Sequence, residues 1–319
     1  MSTAAAVVIG EALTDVVREA NGTVHSRPGG SPANVAVGLA RLGLPTELLS
    51  CLGPDANGDA LREHLEASGV TLREGSAAAP ARTSTAEARI GPDGAATYRF
   101  DIDWNPGQIQ LDPVRLVHTG SLATAIEPGA AAVESALGAA HPGTLISFDP
   151  NVRPSLGLPR DDVRGRVERI AGLAHVVKMS DEDLEWLYPE QPVSDVAARM
   201  HDAGVALFLV TRGARGCAFS TARWTSEIPA LPVTVADTIG AGDAFMSGLL
   251  YAILTADADP ALRDGAVLQD IAEAWAATAL RSAAITVGRH GAQPPFLADL
   301  GGVLPLRGRR SVVEGHHLP

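Results

Sequence analysis

Lysine is almost missing from this chain. Of 25 basic residues in 319, only Lys178 is a lysine, a skew that reads as codon bias toward Arg and Ala. Basic residues are also outnumbered by 37 acidic ones, leaving a formal net charge of −12. That balance excludes a nucleic-acid partner, whose phosphate backbone needs a basic face. It leaves room for a phosphate-bearing small ligand, which a few amides and one Arg can hold. Cysteine is scarce too. Cys51 and Cys217 stand far apart and in no ligand-like spacing, which excludes a disulfide framework and a zinc site and suits a reducing cytosol. Aromatics make up 4%, so a core drawn from the 46% hydrophobic residues is built of Ala, Val, Leu and Ile. No apolar run reaches the ~18–20 residues of a membrane span. Residues 1–9 carry no basic region ahead of their apolar run and read as a first strand, not a signal peptide.

What is present is a regular alternation. Residues 4–9, 46–52, 116–119, 144–149, 175–178 and 206–211 are short apolar runs that fit buried strands. Between them lie helix-length segments at 33–42, 59–68, 128–140, 163–173, 181–187 and 193–203. Residues 216–220 and 224–228 form a meander, and 242–254 and 270–284 the last long helices. Strands separated by helices imply a mostly parallel sheet covered on both faces, with ligands at the carboxyl ends of its strands. Two hairpins interrupt this pattern, one around Asn21-Gly22 and one around 91–94. They predict a small β lid built from about 12–28 and 81–104. The main unit is expected over 1–304 as a single domain, with 305–319 as a weakly structured tail.

The most specific string is Asp237-Thr-Ile-Gly-Ala-Gly-Asp243-Ala-Phe245, between an extended run at 233–236 and an apolar helix. Glycines there let consecutive N–H groups point one way, and a helix start attracts an anion. A carboxylate in that first turn can cap the helix, or it can take a proton from a hydroxyl beside a bound phosphate. The nine residues resemble the second signature of the PfkB (ribokinase-like) carbohydrate kinases. The resemblance implies that Asp243 is the catalytic base and that Gly240, Ala241 and Gly242 form the anion hole for the transferred phosphoryl group.

Other segments resemble the same family, in the family's order, from about residue 7 to 295. Gly29-Gly30-Ser31-Pro32-Ala33-Asn34 resembles its first signature and implies that Gly29, Gly30 and Asn34 contact sugar. Gly10-Glu11-Ala-Leu-Thr-Asp15 resembles its first strand and lid entrance, which gives Asp15 two sugar hydroxyls to hold. Asp149-Pro-Asn-Val-Arg153 resembles the stretch facing the transferred phosphate, where Arg153 would neutralise charge. Lys178-Met-Ser180-Asp-Glu-Asp183 resembles a Lys-x-Asn-x-x-Glu motif tied to magnesium and phosphate through water. Here Ser180 and Asp183 replace the Asn and Glu, and Ser180 could equally N-cap the next helix with Asp183 at its third position. Thr211-Arg212-Gly213-Ala-Arg-Gly216 resembles the nucleotide-phosphate loop, although a plain β-turn would use the same residues. Residues 286–292 resemble the loop near the adenine, which with Asp237 is a candidate potassium site.

The resemblance implies a ribokinase-like, doubly wound α/β fold with a β-sheet lid, ATP and Mg2+ as requirements, K+ as an option, and a cytoplasmic sugar kinase that could pair through its lid. Gly10-Glu11, residues 83–88, Tyr98–Phe100, His118–Leu122 and Asp149–Arg153 favour a fructokinase. A 2-keto-3-deoxygluconate kinase, another sugar or nucleoside kinase of the family, and a non-catalytic sugar- or nucleotide-binding relative are the alternatives. A dinucleotide-binding dehydrogenase is disfavoured, because no Gly-x-Gly-x-x-Gly turn follows the first strand.

Overall fold

The computed structural model of the chain describes residues 4–18, 22–75, 80, 82–90 and 96–301. The turn residue Asn21, the 91–94 turn and the tail from 305 lie outside the described residues. A nine-stranded sheet carries β1 (Ala6–Ile9), β4 (Thr46–Ser50), β5 (Val70–Glu74), β8 (Leu116–Gly120), β9 (Leu145–Asp149), β10 (Val176–Ser180), β11 (Leu207–Thr211), β12 (Cys217–Ser220) and β13 (Thr225–Ile228), in the order β13-β12-β11-β10-β9-β8-β1-β4-β5. The seven strands from β11 to β5 run parallel, and the β12–β13 edge is antiparallel.

The inner parallel strands are buried on both faces, which is why they read as apolar runs. In β1, Ala6 and Val8 enter one core while Val7 and Ile9 enter the other. The first core is closed by α1 (Ser31–Arg41), α2 (Ala56–Ala67), α7 (Ala241–Thr255), α8 (Asp259–Arg263) and α9 (Gln269–Val287). The second is closed by α3 (Gly129–Gly138), α4 (Arg160–Ala171), α5 (Asp181–Leu187) and α6 (Val193–Asp202).

From β1 the chain winds outward through β4 and β5, then returns to β8 on the other side of β1. The strand order therefore reverses at β1 and β8, and the crevice beyond their carboxyl ends is the expected ligand position. A second sheet, β3-β2-β6-β7, stands over that crevice. It is made of β2 (Leu13–Arg18), β3 (Val24–Gly29), β6 (Thr85–Ile90) and β7 (Ala96–Asp101), so two separate segments build it, as the hairpin pattern implies. Its outer pairs are antiparallel and its central β2–β6 pair is parallel.

The sequence pattern misses β5, whose residues alternate but follow directly on a helix, and α8, which is five residues long. The extended run expected at 233–236 belongs to neither sheet. Among the described residues, no helix is long and apolar enough to cross a membrane.

Candidate active site

Asp243 sits in the first turn of α7. That helix starts on Gly240, whose φ of +75° is the left-handed conformation a side chain would strain. A β-carbon on Gly240 would also stand 2.6 Å from Ala292 Cβ, so the 286–292 loop packs directly on this turn. The Ala241 N–H turns back to Thr238 O at 3.2 Å, and the Ala244 N–H bonds Gly240 O. Among the described residues, the N–H groups of Gly240, Gly242 and Asp243 have no acceptor, so they are the donors the turn can offer to an anion.

The Asp243 carboxylate is buried, 7% exposed, and held from both sides by α1. Ser31 Oγ donates to Oδ1 at 2.6 Å and Asn34 Nδ2 donates to Oδ2 at 2.8 Å. Gly30 precedes α1 at φ +103°, pressed against the Glu11 carbonyl, so a side chain there would collide with the end of β1. On β2, Asp15 lies against Gly29 of β3, where any β-carbon would displace its carboxylate. Burial pushes the Asp15 carboxyl up to about 6, opposed by Arg153 and aided by Asp243. Asp15, Gly29, Gly30, Asn34 and Asp243 thus converge on one crevice.

Lys178 comes to the same place from β10. A β-carbon on Gly242 would stand 3.2 Å from its Nζ, so the ammonium lies directly under the first turn of α7. It pairs with Asp149 at 2.8 Å, both side chains being buried. Among the described residues, neither Asp149 oxygen has a partner besides this ammonium. Burial opposes the Lys178 charge, but Asp149, Asp183 and Asp243 outweigh it and hold its pKa above the ordinary range. Burial also drives Asp149 up to about 6 against the pull of Lys178, with Asp183 and Asp243 adding to the rise. One ammonium therefore serves three carboxylates.

Asp183, expected to hold magnesium through water, accepts hydrogen bonds on both carboxylate oxygens. Its Oδ2 accepts from Ser180 N and Ser180 Oγ, both at 2.8 Å, and Ser180 caps α5 in return. Its Oδ1 accepts from Val152 N at 2.7 Å. The capping role that the sequence left open is the geometry seen, and the same carboxylate ties β10 to the 149–153 loop. Arg153, in that loop, donates to Asn151 and to the Val152 carbonyl.

The 211–216 loop follows β11 as expected. Thr211 Oγ1 leans on Met179 O at 3.5 Å, Arg212 pairs with Glu227 at 2.9 Å, Gly213 has φ +53°, and Gly216 has φ +88° beneath the Ile228 carbonyl. Asp237 accepts from Ile239 N at 3.0 Å and from Gly291 N at 2.9 Å. Burial raises its pKa, but these backbone donors and that of Thr238 overrule it and hold the carboxyl below its usual range. Among the described residues, no group of three or more His, Cys, Asp or Glu forms a metal cage.

Three residues gain a place here that the sequence did not give them. Ser31 and Asp149 lie inside the quoted strings, but nothing local distinguishes them from neighbours. Glu11, at the end of β1, is 3% exposed and accepts from Ala123 N at 3.0 Å. Burial lifts its pKa to about 7, against bonds from its own backbone, Ser121 and Ala123.

Several known proteins are similar to this chain. The profile of the pfkB family carbohydrate kinases matches residues 3–299. A fructokinase of Klebsiella pneumoniae is 34% identical over 253 residues, covering 76% of this chain and 82% of its own. Among solved structures, the fructokinase of Xylella fastidiosa with bound ATP superposes at a TM-score of 0.79 with 28% identity, over 93% of this chain and 97% of its own. A Vibrio cholerae fructokinase double mutant bound to fructose, ADP and potassium gives 0.76 and 26%, over 95% and 100%. Aminoimidazole riboside kinase of Salmonella enterica, with its riboside and an ATP analog, gives 0.75 and 27%, over 94% and 99%.

Proposed function

The chain belongs to the pfkB family of carbohydrate kinases, and on that premise we propose that it transfers the γ-phosphoryl group of ATP to a hydroxyl of fructose. The observation that carries this reading is the Asp243 carboxylate at the α7 N-terminus, held by Ser31 and Asn34 on the sugar side of the crevice. In the reaction, Asp243 takes the proton of the acceptor hydroxyl as its oxygen bonds to the γ-phosphorus. The bond from that phosphorus to the β–γ bridging oxygen breaks, and ADP leaves with the electron pair. Phosphoryl transfer asks the protein chiefly for position and charge stabilisation. The N–H groups of Gly240, Gly242 and Asp243 and the Lys178 ammonium face the place where that charge develops. Asp15 and Asn34 orient the sugar, and Arg153 steadies charge at the crevice.

Magnesium fits beside Asp149. That carboxylate is buried, has Lys178 as its one close partner among the described residues, and shares that ammonium with two other carboxylates, so local negative charge remains for a hard cation. Magnesium would neutralise the ATP phosphates there and reach the protein through its water shell, with Asp183 fixing the loop that carries Asp149 and Arg153. Thr211, Arg212, Gly213 and Gly216 take the nucleotide side, and Asp237 with the 286–292 loop takes potassium. ATP as donor and two buried free thiols, Cys51 and Cys217, suit the cytosol. Two copies pair through the exposed strand β3 of the second sheet, where Val24 is 46% exposed.

ADP release with magnesium-ATP, measured over fructose, ketodeoxygluconate, ribose and adenosine, tests the substrate. The largest kcat/KM on fructose is the expected outcome. A larger value on another acceptor moves the assignment there, and no turnover on any of them favours a binding protein.

A further inference from the structure

Arg27 lies in the lid segment but outside every motif string that carries a site residue. It lies on β3 directly opposite Asp15 of β2, and residues directly opposite in an antiparallel pair leave the same face of the sheet. The second sheet therefore presents Arg27 and Asp15 to the same side, the crevice. The Arg27 side chain crosses to the nucleotide half of the molecule. Its Nη1 lies 3.2 Å from where a β-carbon on Gly291 would stand. Gly291 donates to Asp237, and the next residue, Ala292, packs on Gly240 at the start of α7. The positive charge of Arg27 acts on the Asp237 carboxyl from this position. Yet Arg27 is exposed, and its guanidinium donates to no group among the described residues. A planar five-donor fork thus overhangs the rim of the anion-binding turn with its donors uncommitted.

We propose that Arg27 is a catalytic residue carried by the lid, whose guanidinium meets the phosphoryl group as it passes from ATP to the sugar. The proposal rests on the sugar-kinase reading of Asp243. The Arg27 side chain gains and loses no proton in the step. It donates two hydrogen bonds to oxygens of the transferred group while the Asp243 carboxylate takes the hydroxyl proton. Because Asp15 and Arg27 leave the same face of one hairpin, a sugar held by Asp15 and a phosphoryl group held by Arg27 meet across one crevice.

The test compares wild type with Arg27→Ala, Arg27→Lys and, as a control, Arg18→Ala. Arg18 lies on the opposite face of the same hairpin and pairs with Glu87 at 2.9 Å. At saturating fructose and magnesium-ATP, Arg27→Ala is expected to lose roughly 100-fold in kcat with the fructose KM within about threefold. Added guanidinium ion should restore part of that loss, and Arg27→Lys should fall between. Arg18→Ala should keep the wild-type kcat. Calorimetry of magnesium-ADP with aluminium fluoride and fructose adds a readout without turnover, in which Arg27→Ala should bind about 100-fold more weakly than wild type. A wild-type kcat in Arg27→Ala, or an equal loss in Arg18→Ala, overturns the role of Arg27 while leaving the kinase reading intact. A wild type that turns over no sugar and shows no fluoride-dependent tightening overturns both.

Discussion

Asn34 donates to Asp243 at 2.8 Å across 209 residues of chain, so the helix that follows the first signature holds the carboxylate of the second. Ser31, one turn earlier on α1, holds the other oxygen at 2.6 Å. The two signatures are therefore one structural unit, and the sugar hydroxyl must enter a carboxylate already fixed in direction. Ser31→Ala removes one charge-assisted hydrogen bond, a loss of about 1.5–3 kcal/mol. The expected result is a fall of ~10-fold or more in kcat with the ATP KM unchanged, read in steady-state kinetics. A change confined to the ATP KM would contradict the placement.

Lys178→Met tests the buried charge cluster. Removing the ammonium leaves Asp149 buried without its counter-charge beside Asp183 and Asp243, and breaking such a pair costs about 3–5 kcal/mol. Urea unfolding should show that loss at pH 8 and a smaller one at pH 5, where Asp149, with a pKa of about 6, is neutral. A stability loss independent of pH would mean that packing, not charge, is what Lys178 supplies.

Sugar capture should weaken in acid. The Asp15 carboxyl is raised from 3.8 to about 6, and only its ionised form offers acceptors alone to two hydroxyls. As pH falls through 6, kcat/KM for sugar should drop about tenfold per pH unit. Asp15→Asn should be slow throughout and lack this limb. An unchanged acid limb in the variant would assign the titration to another group.

Glu11 governs stability in the opposite sense to an exposed carboxylate. Its pKa is about 7 in the folded chain against 4.5 ordinarily, so the folded state binds the proton more tightly. Its contribution is present below pH 4.5 and is lost as pH rises through 7, a difference of about 3 kcal/mol. Asp15 and Asp149 slope the same way. Glu11→Gln, which can still accept from Ala123 N, should flatten the fall in stability between pH 5 and 7 in urea titrations. A slope as steep as that of wild type would remove Glu11 from the account.

The strand–helix alternation was legible because the inner parallel strands are apolar on both faces and each helix begins or ends at Gly, Pro or a polar cap. The second sheet was legible through its two turn signals, even though its central pair is formed by segments far apart in sequence. What escaped was short or non-local. Five-residue α8 has too few turns to show a period. Ser31 looks like an ordinary residue at a helix start, and only the fold brings Asp243 to it. Asp183 was legible as a capping residue, but its bond from Val152 joins the first turn of α5 to the loop after β9. The donors of the α7 turn could be placed only within the Gly-Ala-Gly-Asp string, because the Thr238 carbonyl that occupies the Ala241 N–H is a feature of the loop's path.

The measurement that bears most directly on Asp243 is ADP release by wild type and Asp243→Asn with saturating magnesium-ATP and fructose. Asparagine keeps the size of the side chain but cannot take the hydroxyl proton. A fall in kcat of about 10³-fold, with fructose binding by calorimetry retained, is the expected result. Equal ADP release by the two proteins would contradict the assignment of Asp243 as the base.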